Sequence, residues 1–276
     1  MFEIIKNFYT IFFGRPFFYR LNYALFYLGL RGMGFLNYEN KKNIDTGEKR
    51  FLEAFLKDRK NFVLVDVGAN VGGYIKEVIK INPDVSVFGF EPHPKTFGVL
   101  KKNAEAFSCK SIEIFNVGLS NKKEKLFLYD HGHNDGSAHA SLHKGVIEQI
   151  HNSSSISYEV DVDFIDDFVL QYQIEKINLL KIDTEGNELN VLLGAKDSLK
   201  AGRIEAIHFE FNEMNVISNT FFKNFWDLLV EFDFYRVLHD GMHHIQTYNA
   251  LTCEIFAYQN IVAIKKVDGV KFGEQD

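Results

Sequence analysis

FVLVDVGANVGGY, residues 62–74, is the stretch on which the fold turns. Phe62–Val67 is a six-residue apolar run stopped by glycine, the pattern of a strand covered on both faces, as parallel strands are. Gly68 permits a tight turn out of that strand, and Gly72 and Gly73 let a helix begin close to a bound ligand. Working outward, Val71–Ile81 continues at helical spacing, and Val85–Glu91 (VSVFGFE) reads as a second strand, followed by a helix to about Phe107. Ile112–Val117 (IEIFNV) is a third strand. Ile177–Asp183 (INLLKID) and Ile204–Phe211 (IEAIHFEF) are a fourth and a fifth, with the helical Glu188–Lys200 between them.

Strands alternating with helices predict βαβ units and a mostly parallel sheet, a Rossmann-like α/β fold. Segments near Phe234–Leu238 and Ile255–Ala263 add antiparallel edge strands. Residues 1–60 read as an N-terminal helical arm or cap, with a polar turn at Asn40–Gly47 and a helix around Glu48–Lys57; residues 61–276 form the main domain. That domain is interrupted between its third and fourth strands by a polar insert, residues 119–157, rich in His, Gly, Asn and Ser. An excursion of such length from a compact sheet is more often functional than idle. It is expected beside the carboxyl ends of the strands, where open α/β sheets bind ligands.

Glu91 closes the second strand in FGFEP, and a carboxylate there can accept hydrogen bonds from both ribose hydroxyls of an adenosine. The glycine turn and Glu91 together predict an adenosine-containing cofactor. In a dinucleotide fingerprint the middle glycine lets the backbone approach a pyrophosphate. Here Asn70 holds that position, which suits a cofactor without pyrophosphate whose amino-acid tail needs hydrogen bonds, such as S-adenosylmethionine. Two readings compete with this one. A nicotinamide-dependent oxidoreductase is disfavoured by Asn70 and by the lack of a Tyr-x-x-x-Lys element. A non-catalytic binding module is disfavoured by the intact polar set Asp66, Asn70, Glu91 and Asp183.

DVGANVGGY, FEPHPKTFGVLKKN, NVGLSN, LLKIDTEGNELNVLLGA and the preceding GEKRFL resemble the FkbM family of S-adenosylmethionine-dependent methyltransferases. The resemblance covers roughly residues 45–212 and extends to the LRGMGFLNYEN lead-in, with KIDTEGNE its most specific piece. It implies a class I methyltransferase fold and methylation of hydroxyls, commonly on sugars or polyketide-like products. By position it places Asp66, Gly68, Asn70, Gly72, Glu91 and Asn116 along the cofactor, with Tyr74 closing the glycine motif beside them. Glu48 matches a family element just before the cofactor domain, where it either closes over the ligands or caps its helix.

A hydroxyl is a poor nucleophile until it loses its proton, so a base or a metal is needed. Asp183, at the carboxyl edge of the fourth strand, either acts as that base or holds a divalent ion with Glu210 and Asn212; such oxygen ligands suit Mg²⁺ or Ca²⁺. The competing reading is that Asp183 and Glu185 only position cofactor or cap the next helix. The insert supplies His131, His133, His139, His143 and His151, and His139 in GSAHASLH is the preferred second base, with solvated loop histidines as the bland alternative. No HxxxH or HExxH falls on a predicted helix, which argues against zinc. His208 reads as core and His243-His244 as surface. Met33, Phe35 and Tyr38 either frame an acceptor pocket or belong to the core.

The 31 Lys and Arg against 37 Asp and Glu give a net charge of −6, and no basic stripe advertises a nucleic-acid partner. The N/D-P-P-Y/F tetrapeptide of base amino-methylation is missing at Asp183. Two distant cysteines, Cys109 and Cys253, argue against a disulfide scaffold. Residues 8–36 are aromatic and apolar, but Arg15, Pro16, Arg20, Asn22 and Arg31 break them up, leaving no spanning segment. A cytoplasmic protein is expected. Its arm should pack on the domain or on a second copy as a homodimer, or make weak peripheral membrane contact through Phe12, Phe13, Phe17 and Phe18.

Overall fold

The computed structural model describes residues 2–37, 46–132, 136–137 and 139–267. The expectations for Tyr38, for His133 and for the polar turn up to residue 45 lie outside the described residues. The chain opens with helices α1 (Phe2–Phe13) and α2 (Tyr19–Gly32), joined by a 3₁₀ turn at Pro16–Phe18, and then α3 (Glu48–Leu56). The domain continues β1 (Phe62–Val67), α4 (Gly73–Ile81), β2 (Val85–Phe90), α5 (Pro94–Ala104) and β3 (Ser111–Phe115). Then come β4 (Gly118–Leu119), β5 (Glu124–His131), a π-helical turn at Val146–Ile150 and β6 (Ser155–Asp163). The second half runs α6 (Ile165–Gln171), β7 (Ile177–Ile182), α7 (Glu188–Leu193), α8 (Lys196–Lys200), β8 (Ile204–Phe211), α9 (Met214–Ile217) and α10 (Phe222–Leu228). It ends with β9 (Phe232–Leu238), β10 (Gly241–Ile245), α11 (Ala250–Cys253) and β11 (Gln259–Lys265).

Among the described residues the main sheet has eight strands in the order β10-β9-β11-β8-β7-β1-β2-β3. β3, β2, β1, β7 and β8 are parallel, and β11, β9 and β10 complete the sheet antiparallel. Strand alternation sends successive side chains to opposite faces. Leu64, Leu179, Ala206 and Val262 therefore share one face with Phe51 and Phe55 of α3 and Ile75 of α4. Val65, Leu180, Ile207 and Ile261 share the other with Val191 of α7 and Phe225 of α10. Each of these large apolar side chains contributes about 1.5–3 kcal/mol by leaving water. Phe225 stacks on Phe209 with ring centroids 4.6 Å apart.

The register aligns the strand ends that matter. Val67 pairs with Phe90 on one side and with Ile182 on the other, and Ile182 pairs with Phe209. Gly68, Glu91, Asp183 and Glu210 consequently form a row across the carboxyl edge. The chain order reverses between β1 and β7, and such a switch point opens a crevice.

Three expectations change. The insert is not a plain loop: β5 and β6 form an antiparallel ladder from Glu124↔Val162 to His131↔Ser155, and β4 joins β6 in a second, three-stranded sheet. The helix expected over Glu188–Lys200 breaks at Gly194, where an added Cβ would stand 2.1 Å from the Ser120 carbonyl oxygen. Along most of α1 and α2 the arm does not rest on the domain: Ile4, Phe17 and Leu28 are more than 60% exposed, and burial begins only at Leu30 and Phe35. Phe35 is core, with the Arg236 guanidinium 4.0 Å from its ring centroid, whereas Met33 stays exposed. No helix among the described residues is long and apolar enough to cross a membrane.

Candidate active site

A cavity of about 380 Å³ lies over the carboxyl ends of β1, β2, β7 and β8, within the range of small-molecule sites. One wall is the turn after β1. The Gly68 and Ala69 N–H groups both donate to the Phe90 carbonyl at 2.9 Å, folding the turn onto β2. Gly68 sits at φ +81°, and a Cβ there would lie 1.8 Å from the Asp183 carbonyl oxygen, so only glycine lets the turns after β1 and β7 approach. Asn70 is left-handed too, at φ +49°, a conformation Asn adopts more readily than most residues. Its position therefore has a backbone reason beside the hydrogen-bonding one. Its N–H donates to Glu91 Oε2 at 2.9 Å, and the His93 N–H donates to Glu91 Oε1 at 2.8 Å. Glu91 thereby ties the glycine turn to the start of α5. Its burial pushes its carboxyl up to about 7, against the pull of those two donors.

Gly68, Asn70 and Glu91 line the cavity; Asp66, Gly72, Tyr74 and Asn116 do not, and instead support the wall from behind. The Asn116 amide donates to the Glu91 and Pro92 carbonyls at 2.9 and 3.0 Å. The Tyr74 hydroxyl pairs with His208 Nδ1 at 3.0 Å, and His208 is buried core whose other nitrogen meets Asn260 Oδ1. Asp66 is 1% exposed, and its Oδ2 has no hydrogen-bond partner among the described residues. Burial pushes Asp66 up to about 7, despite the attraction of Lys181. Burial alone would lower Lys181, but Asp183, Glu210, Glu48 and Asp66 together hold it protonated, above its usual range. Half-buried Glu48 thus acts on this cluster electrostatically from the first turn of α3.

The opposite wall is the turn Asp183–Glu188. Asp183 faces the cavity with Lys181 Nζ 3.8 Å from its Oδ2. Glu185 is left-handed at φ +53° and buried, and its Oε1 lies 3.1 Å from His139 Nδ1. Burial pushes Glu185 up to about 7, while the bond to Glu185 raises His139 above its ordinary value. Ser141 Oγ donates to the Glu185 carbonyl at 2.7 Å, so the insert is fastened to this turn twice. From inside, Glu188 Oε1 accepts from the Thr184 N–H, the Thr184 hydroxyl and the Gly186 N–H, each at 3.0 Å.

The three residues read from the sequence as catalytic, Asp183, Glu185 and His139, all line the one cavity. The proposed cation set needs correcting. Asp183, Glu210 and Asn212 line the cavity together, but Asn212 Oδ1 already accepts the Met214 N–H at 3.0 Å. Glu210 Oε1 accepts the Tyr258 hydroxyl at 2.8 Å, and the Lys181 ammonium sits beside Asp183. A donor-engaged amide and a neighbouring cation do not make a cage for Mg²⁺.

Sequence reasoning missed Tyr258, which lines the cavity with no motif around it, and Glu188, whose role appears only in its three contacts. It also missed Asp130, a fully buried carboxylate accepting from the backbone of His131, Gly136 and Ser137 and from the Ser137 hydroxyl. His131, His139 and His151 do gather, with ring centroids 4.6–6.0 Å apart, whereas His243 is exposed on β10.

The switch-point crevice, the glycine turn and the acidic residue ending β2 define a Rossmann-like α/β enzyme with the methyltransferase fold. The sequence model described as Methyltransferase FkbM domain matches residues 66–236, and the chain belongs to that methyltransferase family, whose methyl donor is S-adenosylmethionine. Methyltransferase 1 of Beauveria bassiana is 26% identical over 145 residues, 49% of this chain and 58% of that protein. The 2-O-methyltransferase NoeI of Sinorhizobium fredii is 24% identical, over 58% of this chain and 68% of its own length. The hexuronic acid methyltransferase AglP of Haloferax volcanii is 28% identical, over 56% and 59%. The oxidoreductase and non-catalytic readings of the sequence give way to this membership.

Proposed function

We propose that the chain transfers a methyl group from S-adenosylmethionine to a hydroxyl of a sugar or glycoconjugate precursor. The observation that carries this reading is the two-walled cavity, in which Gly68, Asn70 and Glu91 face Asp183, Glu185 and His139. The first wall fits the methyl donor. Gly68 lets the turn after β1 pack against the Asp183 backbone, and Glu91 keeps lone pairs on both oxygens after accepting one backbone N–H each. When bound, the donor supplies a methyl group activated on a positively charged sulfur. Gly68 and Asn70 would hold its amino-acid portion and Glu91 its ribose hydroxyls.

The second wall handles the acceptor. Asp183 takes a hydrogen bond from the acceptor hydroxyl and receives its proton as the new bond to oxygen forms. His139, half exposed and held by Glu185, offers its other ring nitrogen as a second proton acceptor. Much of the rate comes from holding hydroxyl and donor at short range with water restricted. Names of relatives support an oxygen acceptor (a 2-O-methyltransferase) and a sugar acid (a hexuronic acid methyltransferase). Here Glu91, Asp183, Glu185, Glu210 and Glu213 all line the cavity. That density of carboxyl groups offers hydrogen-bond acceptors to the hydroxyls of a sugar.

The test is isothermal titration with S-adenosylhomocysteine and, separately, with NAD. The first should bind and the second should not. Glu91→Ala should weaken the former, whereas Asp183→Ala should retain it and lose methyl transfer in an acceptor screen. NAD binding alone, or unchanged affinity in Glu91→Ala, would sink the reading.

A further inference from the structure

We infer that His139, His151 and Glu185 form a binding site for one divalent transition-metal ion of the zinc type. Each offers a ligand atom, and the three atoms lie within 4.8 Å of one another. Around a single zinc ion, bonds of roughly 2.0–2.2 Å bring such atoms to about 3–3.5 Å, a closure of at most about 1.3–1.8 Å that side-chain rotation supplies. The second observation is independent of that spacing. His151 Nε2 and Glu185 Oε2 are buried with no hydrogen-bond partner among the described residues, and Glu185 as a whole is only 9% exposed. Buried polar atoms are normally satisfied, and two orphans in one three-residue cluster point to a missing common partner.

The donor set selects the ion. Two imidazoles and one carboxylate suit zinc, whereas Mg²⁺ and Ca²⁺ prefer oxygen throughout. The scaffold holds the ligands from different elements. Glu185 is fixed in its left-handed turn by Ser141 Oγ on its carbonyl, and His139 approaches from the insert. His151 follows the π-helical turn, with the His131 ring 5.2 Å from its own. His139 and Glu185 line the cavity and His151 does not, so the ion would complete its shell toward the cavity. Three protein ligands with one open position is the pattern of catalytic zinc. An acceptor hydroxyl entering that position would lose its proton more easily. This role rests on the proposed methyl transfer; the binding of the metal does not.

The full-length chain, stripped with chelator and dialysed, is titrated with Zn²⁺ by calorimetry and with Co²⁺ by visible absorption. One equivalent of Zn²⁺ should bind, with an intense low-symmetry Co²⁺ spectrum. His151→Ala and His139→Ala should each weaken binding at least about tenfold. His243→Ala, altering an exposed histidine on β10, should leave binding unchanged. His139 is half exposed, so its variant is expected to fold even where His151→Ala does not; melting curves of the metal-free proteins check both. No stoichiometric binding, or wild-type affinity in His139→Ala with a folded chain, overturns the site. S-adenosylhomocysteine titrated into the metal-free chain separates the two ideas: binding there with no zinc uptake removes the metal and leaves the methyltransferase.

Discussion

Asp66→Asn offers a quantitative test of how the floor of this site is built. Asp66 is 1% exposed, one of its oxygens lacks a hydrogen-bond partner among the described residues, and burial pushes its carboxyl from 3.8 up to about 7. The groups facing it are Lys181, which pulls the other way, and Asp183, Glu48 and Glu91, which add to the rise. In the pH window between those two values the native state holds a proton that the unfolded chain has released. Stability is therefore greatest at the acid end, falls by up to about 1.4 kcal/mol per pH unit as pH rises, and levels off above about 7. Between pH 5 and pH 8 this single group costs about 2–3 kcal/mol. Glu91 and Glu185, also pushed up to about 7, add slopes of the same sign, so the wild-type curve alone identifies none of them. The difference between wild type and Asp66→Asn isolates one. Urea unfolding at pH 5, 6, 7 and 8 should show the variant gaining on the wild type by about 2–3 kcal/mol across the series. A constant difference at all four pH values would mean that Asp66 ionises normally, and the account of a buried carboxyl held protonated beside Lys181 would be wrong.

Gly68→Ala should destabilise the fold by more than about 2 kcal/mol and lose S-adenosylhomocysteine binding, because its Cβ would meet the Asp183 carbonyl oxygen at 1.8 Å. Thermal melts with and without the ligand read both effects, and a wild-type shift would count against the close approach. Glu188→Ala removes the acceptor of three hydrogen bonds in the Thr184–Gly186 turn and should cost about 2–4 kcal/mol in unfolding free energy. A loss below about 0.5 kcal/mol would show that the turn holds without it. Tyr258→Phe deprives Glu210 of its 2.8 Å donor and should cost about 1–2 kcal/mol while leaving S-adenosylhomocysteine affinity unchanged.

The legible parts of this protein are those that local pattern controls. Phe62–Val67 and Ile204–Phe211 were readable as strands because both faces are covered and the apolar run is nearly continuous, and the structure bounds them at the same residues. Glu124–His131 and Ser155–Asp163 were not, because a half-exposed ladder carries Lys, Glu and Asp on its outer face and reads as a polar loop. Gly241–Ile245 is an edge strand with alternating exposure and only one buried residue, too little to register. The candidate site divides the same way. Gly68, Asn70 and Glu91 are legible because a turn and a strand end fix their places. The approach of His151 to His139 crosses the insert, and Glu210 meets Tyr258 across 48 residues, so no spacing rule reports either.

This division bears on how the two walls of the cavity can change. The wall of Gly68, Asn70 and Glu91 is held by backbone: left-handed residues at 68, 70 and 72, strand register, and Glu91 on two N–H groups. Almost any alteration there disturbs the fold along with the ligand. The opposite wall, of Asp183, Glu185 and His139, is held at two levels. Glu188 fixes the Thr184–Gly186 turn from within the domain, and Ser141 and His139 grip Glu185 from the insert. Leu128 of the small sheet and Ser137, Ala140 and Leu142 of the segment that follows β5 also line the cavity, and Ala140 and Leu142 pack on the sheet's own apolar cluster of Leu128, Val160 and Val162. Substitutions in the insert can reshape that side of the cavity while the turn beneath keeps its hydrogen bonds. If the proposed function holds, the insert rather than the glycine turn is where acceptor preference is physically free to vary in this fold.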